Sequence, residues 1–271
     1  MDELYLYKTY LLEEEKSDLT IEKYVRDVRM FLQWVGEREL DKALTKAYKA
    51  HLTERYAIAS INSMLSSVNS YLSFIGRGDL RVKTIKQQRR IFSAEEKELT
   101  RQEYQRLLAA AQDKPQLCLL IQTICATGIR VSEHRFITVE AVRNGVAEVA
   151  CKGKRRMVLL PKQLCRALLK YAKGQGIQRG SIFITRRDNP MDRSRIWAEM
   201  KKLCRKANVP PEKVFPHNLR HLFARTYYAL EKDIVRLADI LGHASINTTR
   251  IYTMESGMVH RRQIERMHLT I

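Results

Sequence analysis

The sequence predicts a mainly α fold in two domains, the second of which carries a small antiparallel sheet within a mixed, mostly helical architecture. Three observations predict this. Apolar residues recur at three- and four-residue intervals through about residue 78. A basic, aperiodic stretch follows. Helical spacing then resumes and is interrupted once, between residues 139 and 160, by short aliphatic runs flanked by turn signals. A chain of 271 residues also exceeds the size to which one hydrophobic core usually grows.

Taken in order, Leu4–Leu12 is a short helical segment. Ile21, Tyr24, Val25, Val28, Phe31, Leu32 and Val35 then paint one apolar helix face, with Ser17 and Asp18 offering capping oxygens ahead of it and Gly36 ending it. Leu40–Tyr56 is a weaker helix. Ile61, Met64, Leu65, Val68, Tyr71, Leu72 and Ile75 form the next stripe, closed by Gly76 and Gly78. Four short helices make a compact bundle, which places the first domain at 1–80. Residues 81–97 read as a linker. Positions 81–90 hold five basic residues and no acidic one, so the tether also suits a strap along a phosphate backbone.

The second domain, 98–271, opens on Thr100-Arg101-Gln102-Glu103, a capping-box pattern before a helix to about Ala111. Pro115–Ala126 reads as a buried helix ending at Gly128. Val139–Val142, Val146–Cys151 and Arg156–Leu160 read as strands, with turns at Asn144-Gly145 and Lys152-Gly153-Lys154. Helices are expected at 161–173 and 193–207, a strand at Ser181–Thr185, and several helices over 217–268.

Charge narrows the function classes. Lys and Arg number 49 against 30 Asp and Glu, a net charge of +19 and a pI near 9.9. Self-repulsion of that size is tolerable beside a polyanion, and because the basic residues spread over the whole chain, nucleic acid is favoured over a membrane surface. Five cysteines, odd in number and without C-x-x-C spacing, point to a reducing compartment rather than a disulfide framework or zinc ribbon. Met1-Asp2-Glu3 does not open a signal peptide, and the longest apolar run, around Leu117–Ile121, is too short for a bilayer. The expectation is a cytoplasmic protein without a membrane partner.

Residues able to carry chemistry cluster late in the chain. Pro216 starts a helix on which His217 and Arg220, three apart, share a face. Leu241-Gly242-His243 follows, and Tyr252 lies nine residues beyond His243. Upstream are Arg130 and Glu133 in Ala-Thr-Gly-Ile-Arg-Val-Ser-Glu, and Lys152 on the hairpin. Each alone has a plainer reading: a chance HxxR, one of twelve tyrosines, a surface Arg–Glu pair. His217 and His221 at i,i+4 lack the Glu of H-E-x-x-H, and Arg220 between them disfavours a metal.

Together, Arg130…Lys152…His217-x-x-Arg220…His243…Tyr252 resembles the tyrosine recombinase (phage integrase) family. The local contexts match too: Cys-Lys-Gly-Lys-Arg-Arg before an aliphatic strand, His-Asn-Leu-Arg-His, and Leu-Gly-His-Ala-Ser-Ile-Asn-Thr-Thr-Arg-Ile-Tyr. Thr20-Ile21-x-x-Tyr24 is similar to the family's SAM-like core-binding domain, so the likeness spans essentially the whole chain.

The resemblance implies a site-specific, Xer-like two-domain recombinase that cuts and rejoins DNA through a 3′-phosphotyrosine bond, without metal, ATP or other cofactor. It implies Tyr252 as nucleophile, Arg130 and Arg220 as phosphate clamps, His217 as base, Lys152 as acid to the 5′ oxygen, and His243 as a phosphate contact. Glu133 and His221 take supporting roles. The chemistry suits these residue types: an anionic diester repels a phenolate until guanidinium forks neutralise its oxygens. Implied partners are double-stranded DNA held in a C-shaped clamp, a synaptic tetramer coupled through the tail at 258–271, and accessory proteins. One departure is His134, where the family usually has an apolar residue. Another is the absence of an N-terminal arm-binding domain before the first helix. The alternatives are a topoisomerase-like enzyme with the same chemistry, and a non-catalytic DNA-binding protein sharing the fold.

Overall fold

A computed structural model of the chain describes residues 3–86, 98–151, 154–252 and 265–267. It divides into two compact units, residues 1–89 and 90–271. No described helix is long and apolar enough to cross a membrane.

The first unit is a four-helix bundle of α1 (Glu3–Glu13), α2 (Asp18–Val35), α3 (Lys42–Thr53) and α4 (Ile58–Phe74). The two apolar stripes read from the sequence face each other: Val28 and Phe31 of α2 and Leu65 and Leu72 of α4 are fully buried. Tyr7 of α1 meets Tyr71 edge-on, ring centroids 5.4 Å apart. Ser17 stands at the N-cap of α2 but its hydroxyl pairs with Thr20 Oγ1 at 2.9 Å instead of capping the backbone. At α3, Asp41 does cap, accepting from Leu44 N.

Residues 81–86, the start of the basic tether, lie extended against α4. Asn69 donates to Val82 O and accepts from Val82 N at 2.8 and 2.9 Å. Asn62 does the same with Ile85 at 2.9 and 2.8 Å. Each amide thus reproduces one rung of a β-ladder, and Val82 is buried beside Leu80. Lys42 and Lys49 donate to the carbonyls of Arg81 and Lys83, so the strap's acceptors are met by the helix face beneath it.

The second unit begins with α5 (Arg101–Ala110), whose capping box is complete: Glu103 N donates to Thr100 Oγ1 at 3.2 Å and Thr100 N to Glu103 Oε2 at 2.8 Å. Helix α6 (Pro115–Thr127) is buried along most of its length and ends at Gly128, in the left-handed conformation. A 3-10 turn, Val131–Phe136, follows. The segment expected as a first strand is instead helix α7 (Val139–Asn144). Thr138 caps it by accepting from Ala141 N, and Gly145, at φ +71°, closes it. Asn144-Gly145 is therefore a helix terminus and not a hairpin turn, because the left-handed residue that a type I′ turn needs serves a C-cap equally well.

The sheet has two antiparallel strands, β1 (Val146–Cys151) and β2 (Lys154–Leu159), in register from Val146↔Leu159 to Cys151↔Lys154. The Lys152-Gly153 turn between them lies outside the described residues. Helix α8 (Lys162–Gly174) packs on α6 and α7. Residues 181–185 make only isolated bridges, Thr138 with Ser181 and Ile184 with Pro190, so the expected strand there is absent. Then come α9 (Arg193–Ala207), α10 (Pro216–Glu231), α11 (Ile234–Leu241) and the single turn α12 (Ile246–Thr249), followed by a 3-10 turn that ends on Tyr252. Helix α10 crosses α6 so closely at Gly128 that a Cβ there would stand 2.4 Å from the Phe223 ring. The tail from 258 onward lies almost wholly outside the described residues.

Candidate active site

Three helix ends converge on one spot: the C-terminus of α6, the N-terminal half of α10 and the C-terminus of α11. Helix C-termini carry partial negative charge and unpaired carbonyls, which makes their meeting point a natural seat for guanidinium groups. Three arginines take it. Arg156 of β2 donates from Nε to Ile240 O at 3.2 Å, Arg220 of α10 from Nη2 to Leu241 O at 2.7 Å, and Arg130 from Nη2 to Gly242 O at 3.4 Å. Consecutive carbonyls at the end of α11 thus hold three side chains from three separate parts of the chain.

Arg220 is 2% exposed and also donates from Nη1 to Gly128 O at 2.5 Å. No carboxylate contacts it among the described ion pairs, and burial followed by repulsion from Arg130 lowers its pKa to about 10. A cation seated so, among dipoles and not beside an anion, keeps its charge available to an arriving phosphate.

Glu133, 1% exposed, organises the other two arginines. It accepts from Arg130 N and Arg130 Nη1 at 2.7 and 3.1 Å, and from both Nη atoms of Arg156 at 2.7 and 2.8 Å. Burial alone would raise its pKa. The Arg156 and Arg130 hydrogen bonds outweigh that and hold the carboxyl below its ordinary range. The Arg130–Glu133 pair is consequently a buried scaffold and not a surface ion pair. Gly242, at φ +64°, gives Arg156 its space, since a Cβ would sit 2.6 Å from Arg156 Cδ.

His243 bridges the arginines to Tyr252. Its Nε2 lies 3.0 Å from Arg220 Nη2 and its Nδ1 2.9 Å from Thr249 Oγ1. A guanidinium can only donate, so Nε2 accepts and the ring proton is on Nδ1, directed at the buried Thr249. Burial, then Arg220, Arg130 and Arg156, lower the His243 pKa to about 4. The Tyr252 ring stacks near-parallel to His243, 5.9 Å between centroids, and meets His221 edge-on at 4.6 Å. Tyr252 is 3% exposed, and its hydroxyl, within the field of Arg220, has no aligned hydrogen bond among the described residues.

His217 stands at the rim of the site, its ring 4.5 Å from that of His221. Partial desolvation, then the charges of Arg220, Arg130 and Arg193, lower its pKa. Burial, His217 and Arg220 bring His221 to about 4. All three site histidines are therefore neutral at pH 7.

Arg130, Glu133, His217, Arg220, His221, His243 and Tyr252 are thus gathered in one cluster, whereas Lys152 lies outside the described residues. Sequence reasoning assigned no role to Arg156, Gly242 or Thr249. Two signals pointed to Arg156 and Thr249: the second arginine of Cys-Lys-Gly-Lys-Arg-Arg falls on the inward face of a strand, and Thr249 sits six residues after His243, at the end of the single turn α12. His134 is 3% exposed, with Nδ1 on Val131 O and Nε2 unpartnered, against Phe183. It occupies an apolar position and packs as an apolar residue.

A buried arginine without a carboxylate among the described ion pairs, a second beside it and a tyrosine at their edge make a site suited to an anion. The chain belongs to the phage integrase family: that family's model matches residues 97–257, and the phage integrase N-terminal SAM-like domain matches residues 4–77. The tyrosine recombinase XerA of Thermococcus kodakarensis is 30% identical over 258 residues, covering 91% of this chain and 88% of its own. A crystal structure of XerA recombinase aligns over 100% of this chain and 99% of its own at 26% identity, with a TM-score of 0.54. A lambda integrase dimer bound to a COC′ core site shares the fold with a TM-score of 0.74 at 18% identity, covering 94% of this chain and 95% of that one.

Proposed function

We propose that this chain is a site-specific DNA recombinase that cuts and rejoins strands through a covalent bond between Tyr252 and a 3′ phosphate. The observation that carries the reading is the Arg220–His243–Tyr252 arrangement, in which a buried, unneutralised cation and a neutral imidazole sit against the tyrosine. The family and its Xer relatives support the same reading. Arg130 and Arg220 grip the non-bridging oxygens, and each such contact is worth roughly 3 kcal/mol as charge builds in the transition state. Tyr252 Oη attacks phosphorus, its proton passing to His217, whose depressed pKa keeps it neutral at pH 7 and able to accept. The 5′ oxygen leaves with a proton from Lys152. Reversal with a different 5′ hydroxyl exchanges strands, and the phosphotyrosine bond conserves the energy of the first cut.

His243 needs one adjustment in this scheme. Arg220 must turn toward phosphate and release Nε2, after which His243 contacts the same phosphate. Glu133 and His221 position these groups. The substrate is double-stranded DNA, and a tetramer assembled on it, with accessory proteins setting direction, completes the reaction in the cytoplasm. The test is covalent trapping on nicked duplexes in EDTA. A protein–DNA adduct on a denaturing gel, lost in Tyr252→Phe and crippled in Arg130→Ala and Arg220→Ala, supports the reading. Tight binding without adduct at any nick points to a non-catalytic DNA-binding protein, and relaxation without sequence preference points to a topoisomerase.

A further inference from the structure

Beside the arginine cluster lies a cleft of about 820 Å³ lined by both charged and apolar side chains. Its lining mixes Arg130, Arg193, His217 and Arg220 with Trp197, Phe215, Ile129 and Val131. Trp197, on α9, is 49% exposed, although it is one of only two tryptophans in the chain. Lys201 Nζ sits 5.3 Å over its ring and donates to Pro211 O, which fixes the indole against the loop before α10.

A half-exposed indole in a cleft shared with three arginines fits a ligand with an anionic end and a flat apolar body. We propose that Trp197 is a nucleotide-binding residue, packing against the deoxyribose and base of the nucleotide next to the scissile phosphate while Arg130 and Arg220 hold the phosphate itself. Both arginines and Trp197 line the same cleft, which lets one nucleotide meet the cations and the indole together. Arg193, on the first turn of α9, meets the next phosphate along the strand. The contact positions the substrate and acts without touching the transferred proton or the attacking oxygen. It rests on the recombinase reading given above.

The test uses a nicked duplex chosen from random-sequence DNA by adduct formation with the wild-type chain, with its cut mapped. A tetrahydrofuran abasic residue is then placed on either side of the scissile phosphate, for the wild type, Trp197→Ala and Trp197→Phe. Base–aromatic stacking sets the scale, so Trp197→Ala is expected to raise the DNA concentration for half-maximal adduct rate roughly tenfold. Trp197→Phe keeps most of the wild-type value. Removing the base on one side costs the wild type a similar factor and costs Trp197→Ala nothing further, a coupling that general destabilisation does not produce. A second readout uses Trp34→Phe with Tyr252→Phe, which leaves Trp197 as the sole indole: its emission is quenched by the intact duplex and spared by the abasic one. Independent, additive losses, or an unchanged Trp197→Ala enzyme, overturn the proposal. Absence of any wild-type adduct overturns the recombinase reading, and this inference with it.

Discussion

Arg220 donates from Nη2 to His243 Nε2 across 3.0 Å, and this single contact decides the protonation state of the imidazole. The lone pair on Nε2 is occupied, so the ring proton is forced to Nδ1 and onto Thr249 Oγ1. The buried Arg220 is thus held on a neutral imidazole and two backbone carbonyls. His243 and Tyr252 stack beside that contact, which places the guanidinium, the imidazole and the phenol ring side by side.

Three histidines beside the arginines, and the buried His134, make stability fall with acid. All four have folded-state pKa values below the ordinary one near 6.5, His221 and His243 reaching about 4. Below pH 6.5 the unfolded chain binds more protons than the fold does, so stability is fully present above 6.5 and is lost progressively as the pH falls toward 4. Urea midpoints at pH 7.5, 6 and 5 are expected to decrease in that order. A midpoint unchanged over this range contradicts the assignment. His134→Leu, which removes an unpartnered buried nitrogen, flattens part of the slope.

Arg156 is predicted to matter as much for stability as for cleavage. Arg156→Ala leaves the Glu133 carboxylate buried with one of its two arginines gone, a change that costs about 3–5 kcal/mol in other buried pairs. Combining it with Glu133→Gln restores much of the urea midpoint, since no buried carboxylate is left short of partners and the part-exposed Arg130 is open to water, while adduct formation stays low because Arg130 has lost its anchor. Restoration of activity along with stability contradicts a positioning role for the pair.

Gly242→Ala tests the same network from the other side. Its φ of +64° and the 2.6 Å approach to Arg156 Cδ predict a loss of about 1–3 kcal/mol. In an Arg156→Ala background the steric part disappears, so the two substitutions are less than additive in denaturation experiments. Full additivity contradicts the contact.

Tyr252→Phe removes a buried hydroxyl that lies near Arg220 without an aligned hydrogen bond among the described residues. An unpaired buried polar group costs about 1–3 kcal/mol, so the variant is expected to be more stable than the wild type by about 1 kcal/mol, to bind DNA normally and to form no adduct. A destabilised Tyr252→Phe protein contradicts the burial described for this residue.

The helices were legible because burial writes itself at helical spacing. Val28, Phe31, Leu65 and Leu72 announce a two-stripe interface that α2 and α4 then form. Residues 139–145 were not legible, since Val139 to Val142 suits a strand, and only Thr138 capping and the left-handed Gly145 decide for a helix. The candidate site's side chains were visible as a spaced set because the proposed chemistry asks for a particular group at each position. Arg156 and Thr249 were not, because their task depends on a partner distant in sequence: Glu133 is 23 residues from Arg156. The Asn62 and Asn69 amides that pin 81–86 to α4 were hidden for the same reason.

The most direct test of the central claim is to locate the phosphate. Adduct trapped on a nicked duplex is digested with nuclease and trypsin, and the modified peptide is sequenced by mass spectrometry. A nucleotide remnant linked through phosphate to Tyr252, formed in EDTA and absent from Tyr252→Phe, is expected. A remnant on any other residue, or an adduct that persists in Tyr252→Phe, contradicts the claim.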